Sequence, residues 1–148
     1  MLHTASEVLT LAKKLENESA KFYEDLSQRY AKDVDVLLSF AKENGKNVVQ
    51  IERAYYGVIT DAIEGCFAFN INPDDYAFKT ELAEGASYSD ALDKAIELEE
   101  KVGEFYTVAA EQSKSLMADV PRAFEMVAKK RNNRKAKLKS FITGEKEA

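Results

Sequence analysis

Two arginines stand on what should be an apolar helix face. In the stretch "FEMVAKKRNNRKAKLKSF", residues 124–141, Phe124, Val127, Leu138 and Phe141 recur at three- and four-residue spacing, and Arg131 and Arg134 continue the same line. A guanidinium carries five donors and no acceptor, and it stays charged at every physiological pH. It can pair with a carboxylate in a core, but it cannot ligate a metal. The same spacing puts Asn44 near the centre of its own helix face, and Asn47, Glu16 and Glu99 toward the shoulders of theirs. Two chemistries suit such a set. One is a hydrogen-bonded ion-pair network; the other is a hard-cation site built from the carboxylates alone.

Histidine chemistry is nearly excluded. His3 is the sole histidine of the chain, and its place near the N-terminus predicts a frayed start. Serine-histidine and cysteine-histidine catalysis, and clusters of imidazole ligands, fall with it. No glycine-rich phosphate loop is present. The net charge of −5 argues against a general nucleic-acid binder. Cys66 is the single cysteine, which rules out an intrachain disulfide and suits a reducing cytoplasm. The opening "MLHTASEV" has neither the basic start nor the apolar run of a secretory signal, and no window approaches the ~18 apolar residues of a membrane span. The expectation is therefore a cytoplasmic protein that does not enter membranes.

Helices must position the six polar residues. The periodicity predicts a first helix over 5–30, opened by a Thr4–Glu7 capping box, and a second over 34–64. The connection "EGCFAFNINPDD" carries Gly65 and Pro73, and a short helix is predicted from Asp74 to Glu84, stopped by Gly85. A third helix covers about 89–114, capped by Ser87 or Ser89, and Pro121 falls in the first turn of a fourth that ends near Gly144. The halves repeat. "SEVLTLAKKLENESAKFY" (6–23) aligns without gaps on "SDALDKAIELEEKVGEFY" (89–106), with Leu15/Leu98, Glu16/Glu99, Phe22/Phe105 and Tyr23/Tyr106 among the identities. "FAKENGKNVVQIERA" (40–54) aligns on "VAKKRNNRKAKLKSF" (127–141). Such duplication predicts one all-α domain: hairpin 1 over about 5–64, a crossover over 65–88, and hairpin 2 over 89–143, folded as a four-helix bundle.

These residues resemble a known family. The repeated "LExxxxxFY" at Leu15–Tyr23 and Leu98–Tyr106 is similar to the first helix of each half in rubrerythrin-type, ferritin-like proteins, and "NPDDYAFKTELAEGASYSDALDKAIELEE" resembles their middle segment. The resemblance covers nearly the whole chain. It implies a ferritin-like bundle, oligomers such as a homodimer, and a diiron centre held by one Glu from each of two helices and a Glu-x-x-His pair from each of the other two. The two single glutamates fall on Glu16 and Glu99. The first Glu-x-x-His falls on Asn44 and Asn47, the second on Arg131 and Arg134, so four of the six implied ligands are replaced. The expectation that follows is electrostatic substitution. Two guanidiniums stand where two cations would sit, balanced by Glu16 and Glu99, with the two amides completing the hydrogen bonding.

Blander readings stand beside these. Arg131 and Arg134 could lay their stems over the stripe and keep their heads in water. Glu16 and Glu99 could be ordinary flank residues. Tyr23, Tyr106, Tyr55 and Tyr56 read as packing, and Cys66 as a buried small residue with no basic neighbour to activate it. Arg122, Lys129, Lys130, Lys135, Lys137 and Lys139 read as a solvated face of the last helix, with an acidic partner or nucleic acid as the weaker reading. The favoured function is a metal-free, non-catalytic structural, regulatory or interaction protein. The alternative is a diiron-type oxidase, peroxidase or iron-handling protein that binds iron or another divalent metal through Glu16 and Glu99, with Glu18, Glu43, Glu52 and Glu100 as less well placed carboxylates.

Overall fold

The computed structural model describes residues 1–58, 68–114 and 119–147. Among these, four α-helices pack against one another: α1 (Ala5–Arg29), α2 (Val34–Val58), α3 (Tyr88–Gln112) and α4 (Asp119–Glu147). None is long and apolar enough to cross a membrane. Cys66, Gly65 and the expected continuation of the second helix past Val58 lie outside the described residues.

The helix starts follow side-chain chemistry. Thr4 and Glu7 exchange hydrogen bonds as a capping box at α1, and Ser87, not Ser89, does the same with Asp90 at α3. Residues 30–33 turn the chain between α1 and α2. There Asp33 takes a φ of 52°, the left-handed conformation that Asp tolerates better than most side chains. Its carbonyl accepts from Leu37 N, and its carboxylate accepts from Tyr88 Oη at 2.7 Å, which ties the turn to the start of α3. Pro121 sits in the first turn of α4, as its missing donor allows, and α4 runs past Gly144 to Glu147.

α1 packs along α2 and α3 along α4; the pairs join chiefly through α2 against α4. Tyr23 reaches Glu99 while Tyr106 reaches Glu16, so α1 and α3 run antiparallel. It follows that α2 and α3 run in the same direction, and the crossover must travel the length of the bundle. That requirement overturns the short helix expected over 74–84. Only Pro73–Tyr76 forms a helical turn, of the 3-10 type, with the Asn72 side chain accepting from Asp74 N. Residues 77–84 are not helical. An extended chain advances ~3.3 Å per residue against ~1.5 Å in a helix, and an isolated helix of that length is marginal in water. Side chains at the end of α1 and in the turn after it hold the segment instead: Arg29 donates to the carbonyls of Ala83 and Glu84, and Tyr30 Oη to that of Ala86 at 2.7 Å.

The expected fraying at the N-terminus is also overturned. Leu2 and Ile71 form an antiparallel bridge, with Leu2 N to Ile71 O at 2.7 Å and Ile71 N to Leu2 O at 3.1 Å. Phe69 N donates to His3 O, and His3 Nδ1 lies 3.2 Å from Phe69 O. The partners lie nearly seventy residues away, which local periodicity does not reveal.

The core is built from Val8, Leu15, Phe22 and Leu26 of α1, Leu37 and Ile51 of α2, Leu92, Leu98 and Phe105 of α3, and Phe124, Val127 and Leu138 of α4. Phe141, on the expected stripe, is half-buried against it. Into the middle of this apolar body the helices place Arg131 and Arg134.

Candidate functional site

All six singled-out side chains converge inside the bundle. Arg131 is 0 % exposed and Arg134 2 %, which rules out snorkelling. Glu16, Asn44, Asn47 and Glu99 are as fully buried, so the shoulder positions that spacing gave to Glu16, Asn47 and Glu99 are corrected. The reason is that these helices have neighbours on more than one side, so a shoulder position is buried too.

Arg131 is the hub. Its Nη2 donates to Glu16 Oε2 at 2.6 Å, and its Nη1 donates to Glu99 at 2.8 and 3.0 Å and to Ser19 Oγ at 2.9 Å. Arg134 stacks beside it, with its guanidinium 5.0 Å from the centroid of Phe40 and 5.8 Å from that of Tyr23. It donates to Glu99 at 3.4 Å, to Phe40 O at 2.8 Å, and through Nε to the partly buried Glu43 at 3.1 Å. Asn44 donates to the backbone carbonyl of Glu16, and Asn47 Nδ2 lies 3.5 Å from Glu16 Oε2. Lys130 leaves the basic face on which its spacing placed it. Its Nζ donates to Asn47 Oδ1 at 3.3 Å and to Gln50 Oε1 at 3.1 Å. Arg131 and Arg134 thus face Glu16, Glu43 and Glu99, while Lys130 meets only neutral amide oxygens.

Tyr23 and Tyr106 belong to this site, and packing alone does not describe them. Tyr23 Oη donates to Glu99 at 2.6 Å and Tyr106 Oη to Glu16 at 2.7 Å. Each half therefore lends its phenol to the carboxylate of the other. Burial first, and the adjacent carboxylate second, pushes both phenols well above their ordinary range. Burial pulls the Arg131 guanidinium the other way, but Glu99 and Glu16 overcome it and hold the charge more firmly than water does. A signal for the tyrosines was present: each lies seven residues after its half's glutamate, two turns along the same face. Ser19 gave no such signal, because its counterpart in the other half is Val102.

The donor set does not fit a diiron centre. Every carboxylate oxygen of Glu16 and Glu99 already accepts from Arg131 or a phenol, and the positions facing them carry guanidinium groups that repel a cation. Among the described residues no group of three or more His, Cys, Asp or Glu is placed to hold a metal ion. Glu18 and Glu52 are engaged elsewhere, with Lys14 and Lys13, and Glu100 pairs with Lys135 at 3.1 Å. Among the described residues two buried polar side-chain atoms lack a hydrogen-bond partner, Asn44 Oδ1 and Arg131 Nε. One is an acceptor and the other a donor, and neither makes a cation cage.

The chain matches no family model, no curated protein and no solved structure.

Proposed function

We propose that this protein is a ferritin-like, rubrerythrin-related bundle in which guanidinium groups occupy the positions of a lost diiron centre, and that it works as a non-catalytic structural, regulatory or interaction protein. On this reading it is cytoplasmic and forms a homodimer. The observation that carries the proposal is Arg131, wholly buried and bridging Glu16 and Glu99. A fixed cation in that place supplies the positive charge two core carboxylates need, and its Nη atoms sit on the side where a shared metal would have to bridge them. Enclosing the set costs several kcal/mol per ion in desolvation, which good geometry and the extra hydrogen bonds from both phenols offset.

The competing reading is a metal-binding oxidase, peroxidase or iron-handling protein. Iron-supplemented expression followed by metal analysis and an absorption spectrum separates the two. Far less than one iron per chain and no oxo-bridge band is the expected result. Near-stoichiometric iron with such a band would overturn the proposal.

A further inference from the structure

The outward face of α2 is unlike the rest of the surface. Among the described residues the exposed large apolar side chains are Met1, Leu38, Val49, Tyr56 and Met126. Leu38, Val49 and Tyr56 fall on one line along α2, at helical spacing, with Gly45 between them. Met126 of α4 adjoins this line: Gln50 Nε2 lies 3.3 Å from its sulfur. The exposure of Tyr56 corrects its reading as a packing residue. Gly45 leaves a shallow groove of about 570 Å³, lined by Lys42, Gly45, Lys46, Val49, Gln50 and Arg53. A Cβ at position 45 would meet nothing within 4 Å.

The charges beside the groove are all of one sign. Lys42, Lys46 and Arg53 have no carboxylate partner among the described residues, whereas Glu43 and Glu52 of the same helix are turned away to Arg134 and Lys13. Three cations without a carboxylate partner among the described residues, set along an apolar line with a notch at its centre, complement an acidic amphipathic helix. Its apolar ridge would lie on Leu38, Val49 and Tyr56, a side chain would enter the notch at Gly45, and its carboxylates would reach the three cations. A second copy fits badly. Two-fold pairing about Gly45 would set these lysines against their own counterparts, and a like-charge juxtaposition costs several kcal/mol. A bilayer fits badly too, because a membrane-surface helix buries a broad convex apolar face, not a narrow line interrupted by a glycine.

We propose that this face of α2 docks an acidic amphipathic helix of a partner protein. The inference deepens the interaction role proposed above and rests on it, but its test is independent of the core. The probe is a synthetic helix about 20 residues long, enough to cover the line from Leu38 to Tyr56. It carries leucines at three- and four-residue spacing and glutamates beside them; a lysine version is the counterpart. Binding is read by fluorescence anisotropy on the full chain. The acidic peptide is expected to bind, and to bind more weakly as salt rises, while the lysine version does not bind. The exposed double variant Lys46→Glu, Arg53→Glu is expected to lose about tenfold in affinity for the acidic peptide and to gain binding of the lysine version, with an unchanged circular dichroism spectrum and melting temperature. Equal binding of both peptides, binding of neither, preferential binding to phosphatidylcholine–phosphatidylserine vesicles, or self-association abolished by Val49→Glu would each overturn the proposal. Those outcomes leave the metal content unaltered, so failure here and failure of the metal-free reading are told apart.

Discussion

At the scale of single residues, what matters is that each buried charge has its partner. Glu99 accepts from Arg131, Arg134 and Tyr23 together. Glu99→Ala leaves guanidinium charge uncompensated in the core, and a loss of about 3–5 kcal/mol is expected in urea unfolding. Replacing Glu16, Glu99, Arg131 and Arg134 together by apolar residues of similar size is expected to cost far less, or to stabilise, because the desolvation of the ions disappears with them. A single variant as stable as the parent would show that the pairing matters little. The phenols give a pH dependence. Tyr23 and Tyr106 have folded-state values raised above the unfolded value of about 10, so the folded chain holds protons that the unfolded chain releases. Stability from this source is complete below about pH 10 and is lost as pH rises beyond it. Tyr76 and Tyr88 shift the same way, driven first by burial. The melting temperature is therefore expected to hold through pH 9 and fall above it, and to fall less steeply in the Tyr23→Phe, Tyr106→Phe double variant. Identical slopes would remove the two phenols from the explanation.

At the scale of the element, α3 and α4 must come close enough for Arg131 to cross the bundle, and Gly103 marks the approach. A Cβ built there would lie 3.7 Å from Arg131 Cβ and 3.9 Å from Asn132 Oδ1, which is ordinary contact. Gly103→Ala is therefore expected to stabilise by up to about 1 kcal/mol through helix propensity. Gly103→Leu is expected to displace Arg131 and destabilise; thermal unfolding of the pair checks both signs. Helices were the most legible feature of the sequence, because three- and four-residue spacing and capping residues such as Thr4 and Ser87 act locally. The crossover was less legible. Nothing within 74–84 reveals that Arg29 at the end of α1 and Tyr30 just after it reach across to hold it, or that Leu2 pairs with Ile71. The candidate site stood between these cases. Arg131 and Arg134 betrayed themselves by breaking an apolar stripe, and the matched glutamates by their repetition. The phenols passed for packing because an aromatic on a buried face ordinarily is packing. Lys130 passed for surface because its stem starts on the solvent side and its head group turns inward.

At the scale of the whole molecule, the four helices enclose two guanidinium groups paired with buried carboxylates, and the proposal is that these covalently attached cations do what bound ions would otherwise do. Arg131 and Arg134 face Glu16, Glu43 and Glu99 directly, as ion pairs within the chain. Such a molecule should be indifferent to chelators and to added divalent metal, since a ligand stabilises only a fold that binds it. Removing the hub should change that, by leaving two carboxylates facing each other in a space that a small hard cation can fill. The most direct measurement is the melting temperature of the unsubstituted chain and of Arg131→Met, each with and without Mn²⁺. The unsubstituted chain is expected not to move, while Arg131→Met starts lower and recovers part of the loss when Mn²⁺ is added. A rise in the melting temperature of the unsubstituted chain with Mn²⁺, or an Arg131→Met variant as stable as its parent, would contradict the substitution of guanidinium for metal.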